Sequence, residues 1–152
     1  MKATVLLCDS GQVADGKLHL LGGGWNVTGP GPTSHAVAVL LEVPWDRTNQ
    51  QLQFQLELMN EDGSAVTQLD PNGVETPIRV EGGLEVGRPP GHPRGAAINV
   101  PFVLNIPSLP LTPGRRYSWE LHVAGEPDNE AWHAAFSTRP LPPGGITGFQ
   151  LP

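Results

Sequence analysis

The chain has 152 residues, 38% hydrophobic and 16% charged, with a formal net charge of −6. That length suits one domain with a real core, the apolar share excludes a disordered body, and the acidic balance argues against a nucleic-acid partner. The 19 glycines and 17 prolines favour many short strands joined by turns over long helices.

Ala3–Cys8 is apolar on both parities, as in a strand covered on both sides or paired centrally. Asp9-Ser10-Gly11 and Ala14-Asp15-Gly16 supply turn residues at the two ends of a short connection to Lys17. Leu18–Val27 reads as a second β-like segment broken by Gly22, Gly23 and Gly24, through a bulge or a close approach of another backbone. After the rigid Gly29-Pro30-Gly31-Pro32 loop, His35–Val43 is a third apolar strand with Val37, Val39, Leu41 and Val43 on one parity, ended by Pro44.

Gln51–Leu58 alternates cleanly, with Leu52, Phe54, Leu56 and Leu58 facing one way and Gln51, Gln53, Gln55 and Glu57 the other. A three-residue hairpin over Glu61-Asp62-Gly63, with Gly63 left-handed, sets Leu58 opposite Val66. Asp70-Pro71-Asn72-Gly73 is a further turn, and Ile78–Val86 is a strand interrupted by Gly82-Gly83. Gly87–Gly95 is a loop. Ile98–Ile106 is a strand whose Pro101 places it at an edge or a bulge.

Tyr117, Trp119, Leu121 and Val123 point inward from the next strand, and Trp132, Ala134 and Phe136 from the last. A four-residue Glu126–Asn129 loop pairs Trp119 with Phe136 and sets His122 opposite His133. Residues 1–138 form the domain, and 139–152 are a Pro/Gly-rich extension with Ile146, Phe149 and Leu151 as its anchors. The pattern as a whole predicts an all-β, two-sheet antiparallel β-sandwich of eight or nine strands, immunoglobulin-like or jelly-roll-like, with a closed β-barrel as the alternative.

No stretch carries a convincing catalytic or metal-binding pattern, and no cofactor is expected. Gly22–Gly24 precede no helix and no Lys-Ser/Thr pair, so backbone packing explains them better than a phosphate. A His122/His133 pair has no third ligand. Cys8 in an apolar strand is a small hydrophobe, and Asp9, Ser10 and Asp15 lack a calcium-loop pattern. Partner- or ligand-binding candidates are Trp25 and Trp45, which serve as a stacking platform or hot spot if exposed and as end plugs if buried. Arg88, His92 and Arg94 add a basic island on an acidic protein, and Phe149 an anchor in the extension.

Val5-Leu-Leu-Cys-Asp-Ser, Ala14-Asp-Gly-Lys-Leu, Leu21-Gly-Gly-Gly-Trp and Val43-Pro-Trp-Asp-Arg together resemble an uncharacterised bacterial family known as a domain of unknown function. The resemblance covers most of the first 140 residues. It implies a small stand-alone β protein and assigns no activity or site residues. Seven arginines against two lysines match a high-GC bacterial composition. The N-terminal apolar run is too short for a signal-peptide core, no run reaches a membrane span of roughly 18 residues, and lone Cys8 excludes an internal disulfide. A cytoplasmic protein is therefore expected.

The expected function is a non-enzymatic interaction module or self-assembling subunit, partnered by a protein or by itself. A small-ligand or carbohydrate-binding sandwich using Trp25 or Trp45 is the second reading, and an enzyme the third.

Overall fold

Apolar residues at every second position give a strand one face to bury. The chain, described over residues 1–143 in a computed structural model, is built almost wholly from such strands. They are β1 (Lys2–Ala14), β2 (Lys17–Gly23), β3 (Val27–Thr28), β4 (Thr33–Val43), β5 (Gln51–Asn60), β6 (Thr67–Leu69), β7 (Glu75–Pro77), β8 (Arg79–Glu85), β9 (Ile98–Leu109), β10 (Arg116–Val123) and β11 (His133–Thr138), with one 3₁₀ turn at Trp45–Arg47. The count exceeds eight or nine because β3, β6 and β7 are pieces of two or three residues.

Among the described residues three sheets result, in the orders β2-β1-β4-β9, β3-β11-β10-β5-β8 and β6-β7. None closes on itself, so the barrel alternative is set aside. The core draws on Leu7, Val37, Val39, Leu41 and Val43 from the four-stranded sheet and on Leu52, Leu56, Leu58, Trp119, Leu121 and Phe136 from the five-stranded one.

Several turns form where turn chemistry demands. Gly63 is left-handed (φ +83°), and the Val66 N–H donates to the Leu58 carbonyl at 2.9 Å, so Leu58 faces Val66. Asp70 Oδ1 accepts the N–H groups of Asn72 and Val74 at 2.8 and 2.9 Å and closes the turn between β6 and β7. Pro101 sits on β9, an edge strand that also carries a bulge opposite Thr33/His35.

Three expectations are corrected. Asp9-Ser10-Gly11 is strand, not turn: β1 runs on to Ala14, because Asp15 and Gly16, both at positive φ, form a two-residue turn whose twist suits a hairpin. Gly82-Gly83 do not interrupt β8. Gly82 lies opposite Phe54, and a Cβ there would sit 2.8 Å from Phe54 Cζ, so the glycine makes room for a ring that packs on Phe102. The β10/β11 register is two residues off: Tyr117 pairs with Phe136 and Trp119 with Ala134. Two successive turns, Glu126 N–H to Val123 O and Trp132 N–H to Asn129 O, use more chain than a four-residue loop. A two-residue slip keeps every side chain on its face, which is why the buried set was right while the pairing was not.

The β1/β2 hairpin is packed over a second, smaller apolar cluster of Cys8, Ala36 and Ala38, covered by Leu18, Leu20 and Val103. Gly11 lies in this contact, where a Cβ would meet Leu20 Cδ2 at 2.8 Å and Val103 Cγ1 at 3.3 Å.

Candidate functional site

Two cross-sheet loops and one hairpin loop gather at one end of the molecule. The β4–β5 loop is tied to the β8–β9 loop by Asn49 N–H to Val86 O (2.7 Å), and to the β10–β11 loop by the Arg47–Glu126 ion pair. Here the structure brings together three candidates that are distant in sequence. The Arg88 guanidinium lies 4.0 Å from the Trp45 ring centroid, and the His92 ring stacks with Trp45 at 6.2 Å and 12°. Arg88 is held by Nε to Thr48 Oγ1 (2.7 Å) and by a terminal nitrogen to Trp45 O (2.9 Å), while His92 Nε2 lies 3.2 and 3.1 Å from the carbonyls of Ala96 and Ala97. Trp45 is therefore half-buried and already engaged by its own chain. Arg94 is exposed on the same loop, and Phe149 lies outside the described residues.

Trp25 is placed differently. Its ring meets His35 at 5.7 Å and Phe136 at 5.9 Å, both edge-on, as part of the main core. This is the end-plug position rather than an open platform. His35 is only 3% exposed and accepts a hydrogen bond at Nε2 from Trp119 Nε1 (2.9 Å), which links β4 in one sheet to β10 in the other. The acceptor role puts the ring proton on Nδ1. Burial pushes the His35 pKa below its ordinary value, against a smaller opposing pull from the Thr33 backbone. His35 Nδ1, Trp25 Nε1 and Thr33 Oγ1 are buried without a hydrogen-bond partner among the described residues.

The remaining candidates resolve into structure. Cys8 is fully buried, its thiol directed at Ala36 O and its pKa raised by burial and then by the Asp9 charge, so the nucleophilic thiolate is disfavoured. His122 does not face His133. The slipped register sets His133 opposite Glu120, and His122 Nδ1 instead lies 3.0 Å from Asp128 Oδ1 beside a polar depression of about 510 Å³ that includes Gln53, Gln55, Glu81 and Glu126. Among the described residues no three His, Cys, Asp or Glu side chains are grouped to hold a metal. Gly22 and Gly23 end β2, with Gly23 paired to Cys8: Gly22 is left-handed (φ +59°) under the Asp9 carboxylate, and the Gly24 N–H donates to Leu7 O.

One feature escaped the sequence reading: the sheet edges differ. β9 carries Pro101 and Pro107. Since proline cannot donate to β4, Pro101 marks the edge-facing position and leaves a gap in the outward row of amides. β8 is flanked by Pro77 and alternates Arg79, Glu81 and Glu85, and β3 has two residues. β2 has neither proline nor alternating charge, and its Leu21, opposite Ser10, is 70% exposed. The signal was the lack of edge protection, visible only once β2 is known to be an edge.

No helix among the described residues is long and apolar enough to cross a membrane. No curated protein and no solved structure matches the chain. A family model matches residues 3–131, the span from the start of β1 to just before β11. The chain belongs to the family of unknown function DUF6941.

Proposed function

We propose that the protein is a non-enzymatic interaction module, a two-sheet β-sandwich of immunoglobulin-like or jelly-roll-like type that joins its partner by strand addition at β2. The shared core of the two larger sheets supports the sandwich. So does Tyr117, whose hydroxyl accepts the Thr112 N–H at 2.9 Å and fastens the loop leading into β10, much as a tyrosine corner does.

The observation that carries the functional reading is the open edge. Natural sheets guard their edges with proline, charge or brevity; here β9 and β8 carry such guards, β3 covers only Ser137 and Thr138 of β11, and β2 carries no guard along its length. An extended segment added there gains main-chain hydrogen bonds and covers Leu21. The test is site-specific photocrosslinking in the producing cell, with benzoylphenylalanine at position 21 on β2 and, in parallel, at position 99 on β9. Adducts mapped to position 21 and absent from 99 are expected. Equal adducts at both positions, or none at 21, would overturn the reading.

A further inference from the structure

We propose that His35, Trp119 and residues 24–28 form an acid-opened latch: a proton on His35 breaks the tie to Trp119, and the segment carrying Trp25 and β3 swings off the side of the sandwich while the two larger sheets stay folded. In a neutral imidazole the basic atom is the nitrogen without a hydrogen. In His35 that atom is Nε2, which accepts the Trp119 Nε1–H at 2.9 Å. A proton can enter only where the cross-sheet bond now sits, and it then faces a second donor instead of an acceptor. The ring pairs across the ladder with Ile106 on β9. The titratable groups on the other strands around it are Cys8 and Asp9 on β1, Tyr117 on β10 and the exposed His133 on β11. Cys8 is directed at Ala36 O, the Asp9 carboxylate lies over Gly22, and the Tyr117 hydroxyl holds the Thr112 N–H. Among the described residues, then, no anion is bonded to His35 to keep an imidazolium in place, and a buried charge without a partner is costly. The charged ring needs water.

How each neighbour is held decides which one gives way. Trp119 is 0% exposed and Phe136 2%, and β4 is laddered to β1 on one side and β9 on the other. Trp25 is half-buried between the exposed Gly24 and Asn26, on a segment that crosses from β2 in one sheet to β3 in the other. Gly24 N–H to Leu7 O, Ser137 N–H to Asn26 O and Arg139 N–H to Thr28 O tie this segment down. Gly22 and Gly24 at one end, and Gly29 and Gly31 at the other, are at positive φ and give it turning points free of Cβ strain. Moving Trp25, which meets the His35 ring edge-on at 5.7 Å, admits water to that ring without breaking either main ladder. Burial holds the His35 pKa below its ordinary value while the segment is closed. Water returns it toward about 6.5 in the open form, so proton uptake favours opening, by up to about tenfold per pH unit between the two values.

Amide hydrogen exchange of the full chain, followed by NMR from about pH 7.5 to pH 5 and corrected for intrinsic rates, tests the latch. Ser137 and Arg139 report the segment, and Leu121, which donates to Trp132 O between β10 and the loop before β11, reports the sheet. Ser137 and Arg139 are expected to be less protected than Leu121 at every pH and to lose protection by up to about tenfold per pH unit below about 6.5. The His35 ring nitrogens are expected to titrate over the same range. His35→Gln, which keeps an acceptor for Trp119 but takes up no proton, removes this pH dependence. Exchange of Ser137 and Arg139 only together with Leu121 overturns the proposal, because one global opening then explains all three. So does an imidazolium that forms while both amides stay protected, or a pH dependence that survives in His35→Gln. Should that variant not fold, the wild-type exchange and ring titration decide alone.

Discussion

Trp25 and Trp45 each have a histidine as aromatic neighbour, and the two pairs are held by opposite means. Trp25–His35 lies inside, fixed by packing against Phe136 and by the Trp119–His35 hydrogen bond across the sheets. Trp45–His92 lies at the loop end, fixed by a guanidinium and by carbonyl groups of its own loops. Burial strengthens the first pair's single hydrogen bond and penalises any charge on it. Partial solvation lets the second pair tolerate a full positive charge against the ring. The same two residue types thus serve as a neutral interior pin in one place and as a cationic surface cluster in the other.

The contrast is broken most severely at Phe136, which is 2% exposed and touches Trp25, His35 and Tyr117. Phe136→Ala is expected to cost about 3–5 kcal/mol in urea unfolding, and a near-neutral result would show that the interior cluster does not hold the sheets together.

The next effect is on pH dependence. The folded pKa of His35 lies below 6.5, so the unfolded chain takes up the proton first. Stability from this residue is therefore present above about pH 6.5 and is lost as pH falls toward the folded value, with a slope of up to about 1.4 kcal/mol per pH unit. His35→Gln, which keeps an acceptor for Trp119, should flatten that acid limb. An unchanged limb would assign the pH dependence to other groups.

The smallest effect belongs to the loop end. Arg88→Ala is expected to cost about 0.5–1 kcal/mol and to increase acrylamide quenching of Trp45, read as the difference from the same measurements in a Trp45→Phe background. A cost as large as that of Phe136→Ala would erase the distinction between the two clusters.

Local chemistry made much of this fold legible. Alternation located β5 and β10, turn residues located Gly63 and Asp70–Gly73, and Pro101 marked an edge. What stayed hidden depended on distant partners. Gly82 resembles a strand break until Phe54 is seen filling the space above it. Asp9-Ser10-Gly11 resembles a turn until Leu20 and Val103 crowd Gly11 from other strands. The β10/β11 register turned on a loop whose first residue is tied to Gln53 on β5. For the loop end, Trp45 and the Arg88–His92 island were each visible as candidates, but 43 residues separate Trp45 from Arg88, and no local pattern signals that they meet.

A sheet that lengthens into a fibre needs two receptive rims, one to accept a neighbour and one to offer the next place. Pro101 and Pro107 strip amide hydrogens from the far rim of the β2-β1-β4-β9 sheet. That sheet therefore has a valence of one. On the proposed reading it takes a single neighbouring strand at β2, and the growth that makes open edges hazardous ends with that first addition.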